Sequence, residues 1–399
     1  LPWGLTWLDA ALLLILVMFL VAGYRRGFWV TLGTMAGLIA GAIASFFSIP
    51  LVSSWVDDPA WRWVAIIAAA ILLIVVGQAI GAAIGRWIRL RLSLPALRTA
   101  DRLAGAVANT VVAAALIGLL AFSAGTMGVP SVTSAVSQSR VISTINKVAP
   151  DQTKGMIAQI RAAVAGAGLV PEIDQPVAPE ASTPTVAPTA PPPGDALTEA
   201  SKSVVRITGT SVECGQNQTG SGFAIAPDRV VTNAHVVAGL TEPAVEQIDG
   251  AVYAGRVVHF DPERDLAVVA VDDADLPVLP TGADLEDGDS AHIMGYPAGG
   301  PFSLDPAEVQ ARGSVPISSI YGGETGMLEI YQLHADVRQG GSGGPLLSTD
   351  GSVAGVVFAR SAADVAVGYA ITGDEARDVF TQAEDWERTV STGQCIQGG

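Results

Sequence analysis

Gln339-Gly340-Gly341-Ser342-Gly343-Gly344-Pro345-Leu346 is the stretch from which the rest of this chain is read. Glycines on both sides of Ser342 let the backbone turn tightly and aim successive N–H groups into one small space. A serine hydroxyl held there is a poor nucleophile until an imidazole takes its proton, and a third group must fix the tautomer of that imidazole. Upstream, the chain supplies both. Val231-Thr232-Asn233-Ala234-His235-Val236-Val237 comes first, and Arg264-Asp265-Leu266-Ala267-Val268-Val269 lies between it and the serine.

His235 follows the apolar, β-branched run Val230–Thr232, which reads as a strand ending at a polar turn. Asp265 opens the run Leu266–Val271, a second strand that can place its carboxylate behind the ring. Taken singly, each motif has an ordinary reading: a flexible turn, a core or surface histidine, a strand-leading acid. Together and in order they make a candidate catalytic set of His235, Asp265 and Ser342. The N–H groups of Gly340 and Ser342 are the expected oxyanion hole. Asp261 is a rival for the acid, but it precedes Pro262 and reads as a turn residue.

Three further stretches extend the pattern: Gly220-Ser221-Gly222-Phe223, Asp265-Leu266-Ala267-Val268 and Val367-Gly368-Tyr369-Ala370-Ile371. With them, residues 196–399 resemble the trypsin-like proteases of the chymotrypsin superfamily, nearest to their bacterial high-temperature-requirement branch. The resemblance implies an all-β, chymotrypsin-like double β-barrel and peptide-bond hydrolysis through an acyl-enzyme. Two departures matter. Gly341 stands where the family usually has Asp or Asn, so pairing of a new N-terminus with that acid is not available. The 57 residues after Ser342 are expected to complete the second barrel without adding a PDZ module. Asp336 lies six residues before Ser342, the offset at which trypsin-like enzymes place the floor of the primary pocket. There it would favour Lys or Arg; otherwise it is a solvated loop acid. Phe358, Ala359 and Arg360 are candidates for another pocket wall.

Neither a cofactor nor a metal is expected. There is no Cys-x-x-Cys pair, and His259, His292 and His334 are dispersed and read as ordinary histidines, His334 lying nearest the expected pocket. The two cysteines, Cys214 and Cys395, suggest one disulfide in an oxidising compartment.

The N-terminal part has another character. Half of all residues are hydrophobic, concentrated in four blocks: Leu5–Tyr24, Phe28–Ile49, Trp61–Ile84 and Leu103–Met127. Each is about twenty residues or longer, enough to cross a hydrocarbon core of roughly 30 Å. Gly33, Gly37 and Gly41 recur at four-residue spacing, a helix-packing pattern. Arg25 and Arg26 follow the first block, and Arg86, Arg89, Arg91, Arg98 and Arg102 separate the third and fourth. By the positive-inside rule these loops are cytoplasmic, so both termini and the C-terminal domain face outward. The first block is not expected to be a cleaved signal, because its basic residues follow the apolar run. Asp9 and Asp101, near helix ends, are expected to be solvated rather than part of a transport site.

Leu8-Asp9, Gly23-Tyr24-Arg25-Arg26-Gly27 and Asp101-Arg102-Leu103-Ala104-Gly105 resemble the colicin V production protein family. The combination is similar to a family of actinobacterial membrane serine proteases, which implies roles in acid and oxidative stress survival and in cell-envelope maintenance. The expected organisation is a four-helix transmembrane domain over 1–128, an extracytoplasmic helical stalk over 129–170, a Pro-rich linker over 171–195 and the protease domain over 196–399. Eight prolines between 171 and 193 make the linker extended and solvated, and therefore a site for self-cleavage.

From 196 onward the chain carries 29 acidic and 10 basic residues, a net of −19, against +3 for the remainder. Such a domain is repelled by nucleic acid and by anionic headgroups, which excludes nucleic acid as a partner. The partners expected are protein or peptide substrates in the cell envelope and the lipid bilayer. The competing reading is a membrane transport or signalling protein whose protease-like domain is accessory or an inactive binding module.

Overall fold

The four apolar blocks form helices α1 (Trp7–Arg26), α2 (Phe28–Trp55), α3 (Pro59–Leu90) and α4 (Pro95–Gly125). All four are long and apolar enough to cross a membrane. The computed structural model describes residues 6–55, 59–92, 94–125, 130–148, 171–173, 177, 188, 194–211, 216–272, 274–323 and 325–396. The chain divides into two compact units, 1–120 with 140–145, and 121–139 with 146–399. The helices outrun the apolar blocks: α3 continues through Arg86 and Arg89, and α4 starts eight residues before Leu103. Proline opens both, at the first helical position, where its missing N–H would have no intrahelical acceptor.

In the first unit, α2 and α3 approach backbone to backbone. A β-carbon on Gly33 would fall 2.2 Å from the carbonyl oxygen of Gly81, and one on Gly37 2.1 Å from that of Gly77. The glycine stripe read on α2 thus meets a second stripe, Gly77-Gly81-Gly85, which the sequence reading did not single out. Asp9 and Asp101 depart from expectation. Both are buried, because each serves backbone donors in place of water. Asp9 caps α1 through the Thr6 N–H at 2.9 Å and also accepts the Val141 N–H at 3.0 Å. Asp101 accepts the Trp29 N–H at 3.2 Å and pairs with Arg89 at 3.0 Å.

The expected stalk contains two short helices, α5 (Pro130–Ser137) and α6 (Arg140–Val148), and most of α6 belongs to the first unit. Residues 149–170, the rest of it, lie outside the described residues.

The second unit opens with a two-residue strand, β1 (Glu172–Ile173), and a short helix, α7 (Asp195–Ala200). Six strands then close a barrel in the order β2 (Val204–Ser211), β3 (Gln216–Ala226), β4 (Arg229–Thr232), β7 (Leu266–Val271), β6 (Val252–Asp261) and β5 (Ala244–Gln247). Val205, Ile207, Val230, Val257 and Val269 are almost wholly buried in its interior. Each contributes roughly 1.5–3 kcal/mol relative to exposure, and Val230 and Val269 among them anchor the neighbouring strands β4 and β7.

The second sheet runs β12 (Val353–Ser361), β11 (Pro345–Ser348), β8 (Ser290–Gly295), β9 (Ser303–Ser318), β10 (Thr325–His334) and β13 (Val367–Thr372). Pairing of β12 with β13 joins its ends. The all-β double-barrel expectation is met. A tail after helix α9 (Arg377–Gln382) returns to the first barrel: Trp386 stacks on His259 with centroids 3.9 Å apart, and the Val390 N–H donates to the Val257 carbonyl at 2.9 Å.

Candidate active site

The antiparallel register of β4 and β7 sets Thr232 opposite Ala267, so the segments just beyond both strands emerge side by side. One carries His235, in the single-turn helix α8 (Ala234–Val237); the other carries Asp265. Nδ1 of His235 lies 2.6 Å from Oδ2 of Asp265, and Oδ1 accepts the His235 backbone N–H at 2.8 Å. The Asn233 side chain donates to the Asp265 carbonyl at 2.8 Å. Asp265 adopts φ +55°, a left-handed conformation that non-glycine residues rarely enter and that clusters at functional sites.

Asp261 has a different task. Its carboxylate accepts the backbone N–H groups of Glu263 and Arg264, both at 3.0 Å, and pairs with the Arg264 guanidinium at 2.7 Å. Arg264 also grips Asp378 with two nitrogens, at 2.8 and 2.9 Å. The turn that presents Asp265 is therefore braced from its own base and from the start of α9. Burial pushes the Asp261 carboxyl up, but the Arg264 and Glu263 hydrogen bonds outweigh it and hold it below the usual carboxylate range. The Arg264 hydrogen bond likewise holds Asp378 low.

Ser342 is 2 % exposed, and its Oγ has no hydrogen-bond partner among the described residues. Its carbonyl accepts the Ser221 N–H at 2.8 Å. The next residue, Gly343, lies so close to the first barrel that a β-carbon on it would fall 3.1 Å from the Asn233 nitrogen. The nucleophile loop thus reaches the segment that bears His235.

The peptide planes around Ser342 orient two free donors. The Gln339 carbonyl accepts the Ala298 N–H at 2.5 Å, and the Gly341 carbonyl accepts the Gly344 N–H at 3.0 Å. In a trans peptide the N–H points opposite the carbonyl, so the N–H groups of Gly340 and Ser342 both turn away from these contacts. Neither has an acceptor among the described residues. Gly340 needs to be glycine twice over. Its φ is +87°, and a β-carbon would fall 2.6 Å from the Tyr296 carbonyl.

The expected pocket residues are less uniform. Asp336 is not a buried pocket floor: its side chain is 65 % exposed and lies 3.3 Å from Arg338. The loop turns it outward between the buried residues Ala335 and Val337, which is the solvated-acid alternative. Phe358 and Ala359 are buried in the core of the second barrel. Arg360 is engaged by the linker. Its N–H donates to the Pro171 carbonyl at 3.1 Å, its guanidinium holds Glu172 at 2.5 Å, and β1 lies parallel to β12 with Glu172 opposite Arg360. The start of the linker is therefore docked rather than solvated, because backbone pairing asks nothing of its composition.

His292 and His334 are buried, and burial pushes the His259 imidazole below its ordinary value. Asp284, Glu329 and Asp374 converge, but Arg312 lies among them at 2.7, 2.9 and 3.3 Å and already occupies the centre of the group with its own positive charge. Cys395 packs against Gly239, four residues beyond His235. Cys214 lies outside the described residues.

Residues 220–356 match the model of the trypsin-like peptidase domain, and residues 8–150 that of the colicin V production protein. The serine protease Rv3671c of Mycobacterium tuberculosis (strain H37Rv) is 31% identical over 397 residues, 98% of each chain. A probable periplasmic serine endoprotease, DegP-like, of Hahella chejuensis is 34% identical over 42% of this chain and 36% of its own length. Among solved structures, the active form of the Rv3671c protease aligns with a TM-score of 0.50 at 34% identity, covering 56% of this chain and all of that one.

Proposed function

This chain belongs to the family of membrane-anchored serine proteases that join a colicin V production domain to a trypsin-like peptidase domain, and from that premise we propose that its endopeptidase activity runs through His235, Asp265 and Ser342. His235 Nε2 takes the Ser342 proton as Oγ attacks the scissile carbonyl. Asp265 holds the proton on Nδ1 and stabilises the imidazolium that forms. The Gly340 and Ser342 N–H groups receive the oxyanion. The imidazolium then protonates the leaving amine, and a water activated by the same base releases the acyl group. The observation that carries this reading is the 2.6 Å contact between His235 and Asp265. A fluorophosphonate should label the full-length protein at Ser342, and neither Ser342→Ala nor His235→Ala. Wild-type protein that takes no label would overturn it.

The protease unit faces outward in this account, which rests on the arginines flanking α1 and α2 and those between α3 and α4. A reporter active only outside the cytoplasm should signal when fused after residue 165 and stay silent near Arg89; the reverse pattern contradicts the orientation. Its substrates are then proteins of the cell envelope, and its setting is acid and oxidative stress. What supports the acid role is the net charge of −19 from residue 196 onward, whose self-repulsion acid relieves in part. Self-cleavage belongs within 174–193, beyond the segment docked on Arg360. Asp336, paired with Arg338, does not impose a basic primary preference. The Cys214–Cys395 disulfide ties the tail to the first barrel; in support, no described cysteine is a free thiol.

A further inference from the structure

Gly341 stands where the family this chain resembles usually has Asp or Asn, so no side chain at that position can hold the nucleophile loop. Something else must hold the Gly340 peptide with its N–H turned toward the substrate. The buried hydroxyl of Ser221 is in position to do so. Ser221 lies in β3 of the first barrel and is wholly buried, yet all its hydrogen-bonding groups are spent on the site. Its Oγ donates to the Gly340 carbonyl at 2.7 Å and accepts the Tyr296 N–H at 2.9 Å. A carbonyl can only accept and an amide only donate, so the hydroxyl proton has one orientation. Its N–H holds the Ser342 carbonyl at 2.8 Å, and its own carbonyl takes the Thr232 hydroxyl at 2.7 Å.

The second half of the device begins at Tyr296. The turn Pro297–Gly299 follows it, and within that turn Ala298 adopts φ +54°, a conformation an L-residue rarely enters. That strained residue directs its N–H at the Gln339 carbonyl at 2.5 Å. Both peptides flanking Gly340 are thereby clamped, one through its carbonyl by Ser221 and the other through the Gln339 carbonyl by Ala298. Rotating either peptide would break a buried hydrogen bond and leave its partner unpaired.

Resting on the protease reading above, we infer that Ser221 is a positioning residue: through Gly340 and the Tyr296–Ala298 turn, it locks the oxyanion hole in its donor-outward state, a task that Gly341 has no side chain to perform. Ser221 touches no reacting atom. Its effect is on where the Gly340 N–H points when charge develops on the carbonyl oxygen.

The test uses the full-length protein in detergent with a fluorogenic peptide and a peptide aldehyde whose adduct places its oxygen in the hole. Ser221→Ala should lower kcat by about 10- to 100-fold, less than the roughly 10²–10³-fold typical of deleting an oxyanion donor outright. KM should stay within about threefold, because the loss falls on the transition state. The aldehyde should weaken in parallel with kcat. Ser221→Thr, which keeps the hydroxyl, should recover most of the activity. If Ser221→Ala does not fold, Ser221→Cys carries the same test, since its thiol fills the space but bonds weakly. A folded variant with wild-type kcat, or one in which only KM rises, would overturn the inference and leave the protease reading intact. Wild-type protein inert toward both peptide and fluorophosphonate would instead remove the protease reading itself.

Discussion

Asp265 bonds His235 twice, once at ring Nδ1 (2.6 Å) and once at the backbone N–H (2.8 Å), so a single carboxylate fixes both the tautomer and the place of the imidazole. Two bonds to one residue leave the ring little freedom to rotate. The arrangement also distinguishes the two acids near this turn. Asp261 serves Arg264 and the turn backbone and makes no contact of this kind.

Asp265→Asn should therefore reduce kcat by about 10³–10⁴-fold, the scale seen when this acid is neutralised in such triads. Asp261→Asn should cost less than about tenfold. Steady-state kinetics on the two purified variants decides between them, and the reverse ranking would move the third role to Asp261.

Glycine contacts in the membrane unit predict opposite outcomes for one chemical change. Gly37→Ala drives a β-carbon into the Gly77 carbonyl and should destabilise the helix pair by about 1–3 kcal/mol. Gly118→Ala meets nothing nearer than Ile145 at 3.4 Å and should be neutral or stabilising by up to about 1 kcal/mol. Thermal unfolding in detergent, followed by helical circular dichroism, compares them.

The Arg264 cluster has a defined pH signature. The carboxyls of Asp261 and Asp378 are held below their ordinary values, so their ionised form is the one the fold favours. Their stabilisation is complete above the ordinary aspartate range and disappears as pH falls through the lowered folded values. Asp378→Asn should lower the melting temperature at neutral and mildly acidic pH, by an amount equivalent to about 1 kcal/mol or less because Asp378 is partly exposed. The gap should close in strong acid. A gap that widened toward low pH would contradict the assignment.

A Cys214–Cys395 bridge closes a loop of about 180 residues, worth about 5 kcal/mol at most in the chain-entropy model. The tail is already tied near His235, with the Gly239 N–H donating to the Thr392 carbonyl at 3.1 Å. Reduction should lower both melting temperature and activity. Intact mass after alkylation without reductant should show no modified thiol; two modified thiols would remove the bridge.

Features written within a short window of sequence were legible before the fold. The apolar blocks foretold α1–α4, and β-branched runs beside a polar residue foretold how β4 and β7 carry His235 and Asp265. What escaped depends on partners far along the chain. Asp9 and Asp101 looked solvated because the amides they serve, at Val141 and Trp29, lie 132 and 72 positions away. The Gly77 stripe carries meaning only opposite Gly37. The linker looked free because its composition builds no core, yet Glu172 and Ile173 pair through backbone and Ile173 adds an apolar contact. Ser221 stood in view within Gly220-Ser221-Gly222, but its hydroxyl is informative only once Gly340 and Tyr296 are beside it.

The most direct measurement is hydrolysis of a denatured protein substrate by the purified full-length chain and its Ser342→Ala variant, side by side with His235→Ala and the double variant. Wild-type protein should cleave it, both single variants should lose nearly all activity while keeping the wild-type melting temperature, and the double variant should be scarcely worse than either. Undiminished cleavage by folded Ser342→Ala protein would contradict the account at its centre.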